Sequence, residues 1–121
     1  MIQREHYEQV AVFEWAAYNM GKYPELAFMF AVPNGGQRNV VVATRMKAEG
    51  VKAGVPDIWL PVVRPVSGYA GLVIELKAAG GKPTREQRKW IDYLEQQGYR
   101  AMWLVGADAA ISEIEQYLEM E

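Results

Sequence analysis

A mixed α/β domain with helices packed on a central sheet is the fold class that this 121-residue sequence predicts. Three observations carry that prediction. Apolar runs of strand length recur at Ile58-Trp59-Leu60, at Leu72-Val73-Ile74 and across residues 100–105. Between them lie stretches of helical spacing with recognisable start and stop signals. Half of the residues are apolar and four are tryptophan, enough to build a core at this chain length.

The elements follow in order. Residues 4–20 read as a helix, with Val10, Phe13, Ala17 and Met20 on one stripe and Gly21 and Pro24 ending it. The short apolar run at 27–32 is expected to be a strand, and Pro33-Asn34-Gly35-Gly36 is a turn signal. Residues 40–49 form a second helix stopped by Gly50. The loop Ala53-Gly54-Val55-Pro56 feeds a strand at 57–62, which Pro61 either ends early or places near a sheet edge. Residues 63–70, with Pro65 and Gly68, connect to a strand at 71–77, and Gly80-Gly81 make a turn. Thr84 and Gln87 then form a T-x-x-Q capping box after Pro83. The helix they open runs to about Gln97, carries Trp90, Ile91 and Leu94 on its apolar side, and is closed by Gly98. A strand at 100–105 precedes a last helix, capped by Asp108 and carrying Ile111, Ile114, Tyr117 and Leu118. No repeat, low-complexity tract or linker interrupts this order, so residues 1–121 are expected to form one domain.

Composition removes several function classes. Without cysteine there are neither disulfides nor thiolate metal sites. A single histidine, His6, argues against a His-rich zinc site or a Ser-His-Asp triad, and it reads as a surface residue. The G-x-x-x-x-G-K-[ST] spacing of a phosphate-binding Walker loop is absent around Gly35 and Gly36. No apolar stretch approaches the ~20 residues of a membrane span, and residues 1–5 do not read as a signal peptide. A cytoplasmic location is therefore expected. The net charge of −2 hides an uneven distribution. Residues 38–100 carry eleven Lys/Arg against six Asp/Glu, a local +5, whereas residues 1–37 sum to −2 and 101–121 to −5. A basic middle segment suits a polyanionic partner, and a solvated mixed-charge surface accounts for it equally well.

The candidate chemistry lies in that segment. Asp57 follows Pro56 and opens one apolar run; eighteen positions later, Glu75 and Lys77 close another, with Leu76 between them. Residues two apart on a strand share a face, so a carboxylate and an ammonium project side by side. A second carboxylate comes from the neighbouring strand. Taken singly, an Asp after Pro is ordinarily a turn residue, and Glu-x-Lys is ordinarily an exposed pair. Together at the ends of apolar strands they would be costly to bury unless paired or bound to a cation. Two hard oxygen donors with an adjacent lysine suit metal-assisted phosphodiester hydrolysis.

Pro56-Asp57 followed by Glu75-Leu76-Lys77 resembles the PD-(D/E)XK nuclease signature. The fuller ordered set is Pro33-Asn34-Gly35-Gly36, Arg45, Gly50-Val51, Gly54-Val55-Pro56-Asp57, Glu75-Leu76-Lys77, Gly80-Gly81, Gln87 and Gly98. It resembles the VRR-NUC branch of that superfamily, including its small standalone phage and prophage members, over roughly residues 5–115. The resemblance implies a restriction-endonuclease-like α-β-β-β-α-β core, with the helix at 40–49 as an insertion. It implies Mg²⁺ or Mn²⁺ held by Asp57, Glu75 and the backbone carbonyl of Leu76. Lys77 would position or activate water or stabilise the phosphorane, and Gln87 would face the site. A glutamate from the first helix is also implied: Glu8 is favoured, and Glu5 and Glu14 compete.

Asn34, Gly35 and Arg38 are candidate phosphate contacts through open backbone N–H groups and one charge. Arg45 and Lys47 are candidate DNA-backbone contacts, and a polar turn and a solvated helix face are the plain alternatives. Trp90 and Trp103 are expected in the core. The leading expectation is a metal-dependent DNA endonuclease acting on branched DNA such as a four-way junction, as a homodimer. The alternatives are a non-catalytic nucleic-acid-binding module, or a nuclease that works only with phage replication or recombination partners.

Overall fold

Six consecutive residues, Leu72–Lys77, are buried along their whole length. A strand of that kind needs cover on both faces. The computed structural model, which describes residues 2–33 and 40–121, supplies it. Helices α1 (Ile2–Asn19) and α4 (Ala107–Leu118) cover one face of a sheet, and α3 (Arg85–Gln96) covers the other. The sheet order is β1 (Phe30–Ala31), β2 (Ile58–Leu60), β3 (Leu72–Lys77) and β4 (Arg100–Val105). The first two pairings are antiparallel and the last is parallel. With α2 (Val40–Ala48) set aside, α1-β1-β2-β3-α3-β4 is the expected core order, and α4 follows it. Among the described residues no helix is long and apolar enough to cross a membrane.

Alternation along the strands divides the core in two. Ile58, Leu60, Leu72, Ile74 and Leu76 pack with Val12 and Ala16 of α1 and Ala110, Ile114, Tyr117 and Leu118 of α4. Val73 and Ala101 point the other way, onto Ile91 and Leu94 of α3, with Trp59, Trp90 and Tyr99 at the margin. Glu75 and Lys77 share Val73's face.

The local signals that held are the short-range ones. Thr84 Oγ accepts from Gln87 N at 3.2 Å and Gln87 Oε1 accepts from Thr84 N at 2.8 Å, completing the capping box. Gly98 takes φ +95° just past α3, a conformation that costs glycine least. β2 stops at Leu60, before Pro61, although it is an interior strand.

Four expectations are corrected. The run at 27–32 is a strand only at Phe30–Ala31; Pro24–Phe28 is a 3-10 helix, because Leu26 and Met29, three apart, are the residues that turn inward. On α1 the buried stripe is Val12 and Ala16, while Val10, Ala17 and Met20 are exposed. Asp108 lies inside the first turn of α4 and is not its cap; the cap position is Gly106, and Ala107 N is satisfied from elsewhere. Trp103 is 38% exposed: β4 is an edge strand, and of its α3-side residues only Ala101 belongs to the buried cluster beneath α3.

Candidate active site

The antiparallel register sets Ile58 opposite Ile74, so Asp57 stands one step beyond the last paired position of β2, beside Glu75. The backbone there is anchored by Val32 N donating to Asp57 O at 2.8 Å. The side chain is anchored by Leu76 N donating to Asp57 Oδ2 at 3.0 Å. Lys77 Nζ lies 3.5 Å from Glu75 Oε2, and the Lys77 carbonyl accepts from Gly106 N at 2.8 Å, tying the end of β3 to the start of α4. Asp57, Glu75 and Lys77 therefore converge at the point where β2 begins and β3 ends. Trp59 Nε1 donates to Pro56 O at 2.9 Å and braces the approach to Asp57.

The electrostatics are those of a dry acidic pair with one cation. Glu75 is 2% exposed and Lys77 6%. Burial first, and then the neighbouring Asp57, push the Glu75 carboxyl up to about 9, against the pull of Lys77. Asp57 is also raised by burial, opposed by hydrogen bonding from Glu75 and the Leu76 amide and by the Lys77 charge. Two carboxyls so placed do not both ionise readily, which favours a proton held by the pair. Glu75 Oε1 is buried with no hydrogen-bond partner among the described residues. A buried acceptor left unmatched is costly, and oxygen donors of this kind suit Mg²⁺ or Mn²⁺.

The other candidates are placed as follows. Gln87 is half-buried in the first turn of α3, with its Oε1 engaged by Thr84 N. Of the three first-helix glutamates, Glu14 is exposed. Glu8 lies one turn before Val12, and its Oε1 accepts from Ala107 N at 2.8 Å. Glu5, a turn earlier, lines a cavity of about 140 Å³ with Arg4 and residues 78–81, directly after Lys77. Among the described residues no group of three or more His, Cys, Asp or Glu converges as a ready metal cluster, so neither Glu5 nor Glu8 joins Asp57 and Glu75. Arg45 and Lys47 are exposed on the last turn of α2, a helix with no buried residue. Asn34, Gly35 and Arg38 lie outside the described residues. His6 is exposed.

Sequence reasoning missed the engagement of Glu8 with α4, and it missed the indole contacts of Trp59 and Trp90 around the approach to Asp57. For Trp59, a tryptophan two residues past the candidate aspartate was the available signal; for Glu8 no local signal exists.

The family model for the VRR-NUC domain matches residues 3–108. The chain belongs to the VRR-NUC family. A solved structure of a "VRR_NUC domain protein" is 30% identical, with a TM-score of 0.80, covering 97% of this chain and 89% of the other. No curated protein matches. The VRR-NUC chain is thus a nuclease-type domain, a class whose substrate is DNA.

Proposed function

We propose that this VRR-NUC domain is a metal-dependent DNA endonuclease selective for branched DNA such as four-way junctions, working as a homodimer. The observation that carries the metal-dependent reading is the buried convergence of Asp57, Glu75 and Lys77, with Glu75 Oε1 left without a partner. Mg²⁺ or Mn²⁺ would be held by Asp57, Glu75 and the Leu76 carbonyl. Such an ion, when bound, lowers the pKa of water and offsets charge on the scissile phosphate. The chain's own contributions are distinct. Asp57 is aimed by the Leu76 amide. Glu75 would give up its proton to serve as an oxygen donor to the ion. Lys77, held beside Glu75, orients the attacking water and stabilises charge as the P–O bond breaks.

Binding of DNA through its backbone is supported by the +5 balance of residues 38–100. It is supported also by exposed Arg45 and Lys47, which contact phosphates rather than bases in this reading. Asn34, Gly35 and Arg38 belong to the same proposed DNA contact. One site per chain cuts one strand, and two sites about a two-fold axis suit a junction. The work would take place in the cytoplasm, that of a bacterial host if the chain is phage-encoded.

The test is cleavage of fluorescent single-stranded, duplex, flapped and four-way-junction DNA with Mn²⁺, Mg²⁺ or EDTA. The expected result is metal-dependent cutting, fastest on the junction, and absent with Lys77→Ala. Equal rates on all substrates would remove the branched-DNA selectivity. No cutting by folded protein with metal present would favour a binding or partner-dependent role.

A further inference from the structure

The segment that delivers Asp57 is fastened to α3 at two consecutive residues. Trp90 Nε1 donates to Ala53 O at 3.0 Å. At Gly54, φ is +86°, and a Cβ there would meet Glu86 C at 2.8 Å and Glu86 O at 3.0 Å. Real Cβ atoms do not approach backbone that closely, so only glycine lets the loop lie against the first turn of the helix. From Gly54 to Asp57 only Val55 and Pro56 intervene. Pro56 is buried with a fixed φ, and its carbonyl is held by Trp59. The segment has little slack between its fastening on α3 and the Leu76 amide that aims Asp57.

The same tryptophan also packs on the core beneath α3. Its ring packs against the cluster of Val73, Ile91, Leu94 and Ala101, and Val73 precedes Glu75 by two residues on one face of β3. Trp90 therefore ties the loop bearing Asp57 to α3 and to the core cluster in which Val73 of β3 takes part, on a helix whose start is fixed by the Thr84–Gln87 capping box.

We infer that Trp90 is a positioning residue for the acidic pair: its indole N–H, through Ala53, sets where Asp57 stands relative to Glu75 and the Leu76 amide. The consequence for cleavage rests on the nuclease reading above; the consequence for Asp57 does not.

Trp90→Phe keeps a ring on the cluster and removes the donor. The first readout needs neither metal nor DNA: amide hydrogen exchange at Leu76, whose N–H donates to Asp57 Oδ2. Exchange at Leu76 is expected to quicken on the order of tenfold, with Val73 and Ala101 unchanged. Gly54→Ala, which forces the same loop off α3, is expected to give the same Leu76-selective pattern. In cleavage, Trp90→Phe is expected to lower kcat with KM for DNA unchanged. Leu76 exchange that stays at the wild-type rate in both variants would overturn the inference, as would a rise shared equally by Val73 and Ala101, which is what a loss of packing alone produces. A wild-type protein that cuts no DNA, combined with Leu76-selective acceleration in the variants, would refute the nuclease reading and leave the positioning of Asp57 standing.

Discussion

Glu8, on the first helix, closes the start of the last: its Oε1 accepts from Ala107 N at 2.8 Å, across 99 residues of sequence. Gly106, at the cap position, has no side chain to do this, and Asp108 sits too far into the turn. A carboxylate at that end of a helix also complements the helix dipole. Glu8→Ala should cost about 1 kcal/mol, the usual worth of a lost N-terminal cap, read as a fall in Tm of roughly 4 °C. Glu8→Gln retains an acceptor oxygen and should recover most of that loss. If Glu8 also serves the metal, Glu8→Gln will weaken Mn²⁺ binding while keeping its Tm. Calorimetric titration beside a melting curve separates the two roles.

The buried acidic pair makes metal-free stability depend on pH in an unusual direction. Glu75 is raised from 4.5 to about 9 in the folded chain, so between those values the folded state binds more protons than the unfolded one. Stability should therefore be fullest below about 4.5 as far as this group is concerned, and should fall as pH rises toward 9. Asp57, also raised, acts with the same sign. Melting curves of EDTA-treated protein at a series of pH values should show this decline, and Glu75→Gln should flatten it. A slope unchanged by Glu75→Gln would place the titration elsewhere.

Metal binding and that proton are linked. The pair gives up its shared proton when a divalent cation takes its place, so Mn²⁺ binding should release about one proton and tighten as pH rises. Titrations in two buffers of different ionisation enthalpy measure the proton directly. Binding with no proton released would mean that the pair is already fully ionised.

Arg64 closes the other end of α4. Its Nε donates to Tyr117 O at 3.0 Å and its Nη2 to Leu118 O at 2.8 Å. Arg64→Met keeps much of the aliphatic stem but removes both donors, and it should cost about 1–3 kcal/mol. Because Arg64 touches none of Asp57, Glu75 or Lys77, cleavage measured well below the new Tm should be unaffected. A selective loss of activity in a protein of normal Tm would contradict this assignment.

What the sequence made legible is what local chemistry determines. Asp57, Glu75 and Lys77 stood out because charge at the end of an apolar strand is anomalous in any context, and the strand pairing then brings them together. The capping box of Thr84 and Gln87 is a four-residue signal and formed as read. The unread parts depend on distant packing. Val10, Phe13, Ala17 and Met20 make a plausible stripe, but the sheet and α4 select Val12 and Ala16, and that rotation of α1 exposes Glu14. Trp103 is exposed because of strand order, which no window around it encodes. The 3-10 turn at Pro24–Phe28 arises because Leu26 and Met29 enter the core three residues apart, a spacing that an apolar run conceals.

The most direct measurement is single-turnover cleavage of a four-way junction in Mn²⁺ by the wild-type protein and by Glu75→Gln, each confirmed to be folded. Glu75→Gln keeps the size of the side chain and removes its ability to ionise. The account predicts cutting by wild type that EDTA abolishes, and a loss of at least about a hundredfold in the variant. Equal cutting by the two proteins, or wild-type cutting that survives EDTA, would contradict it.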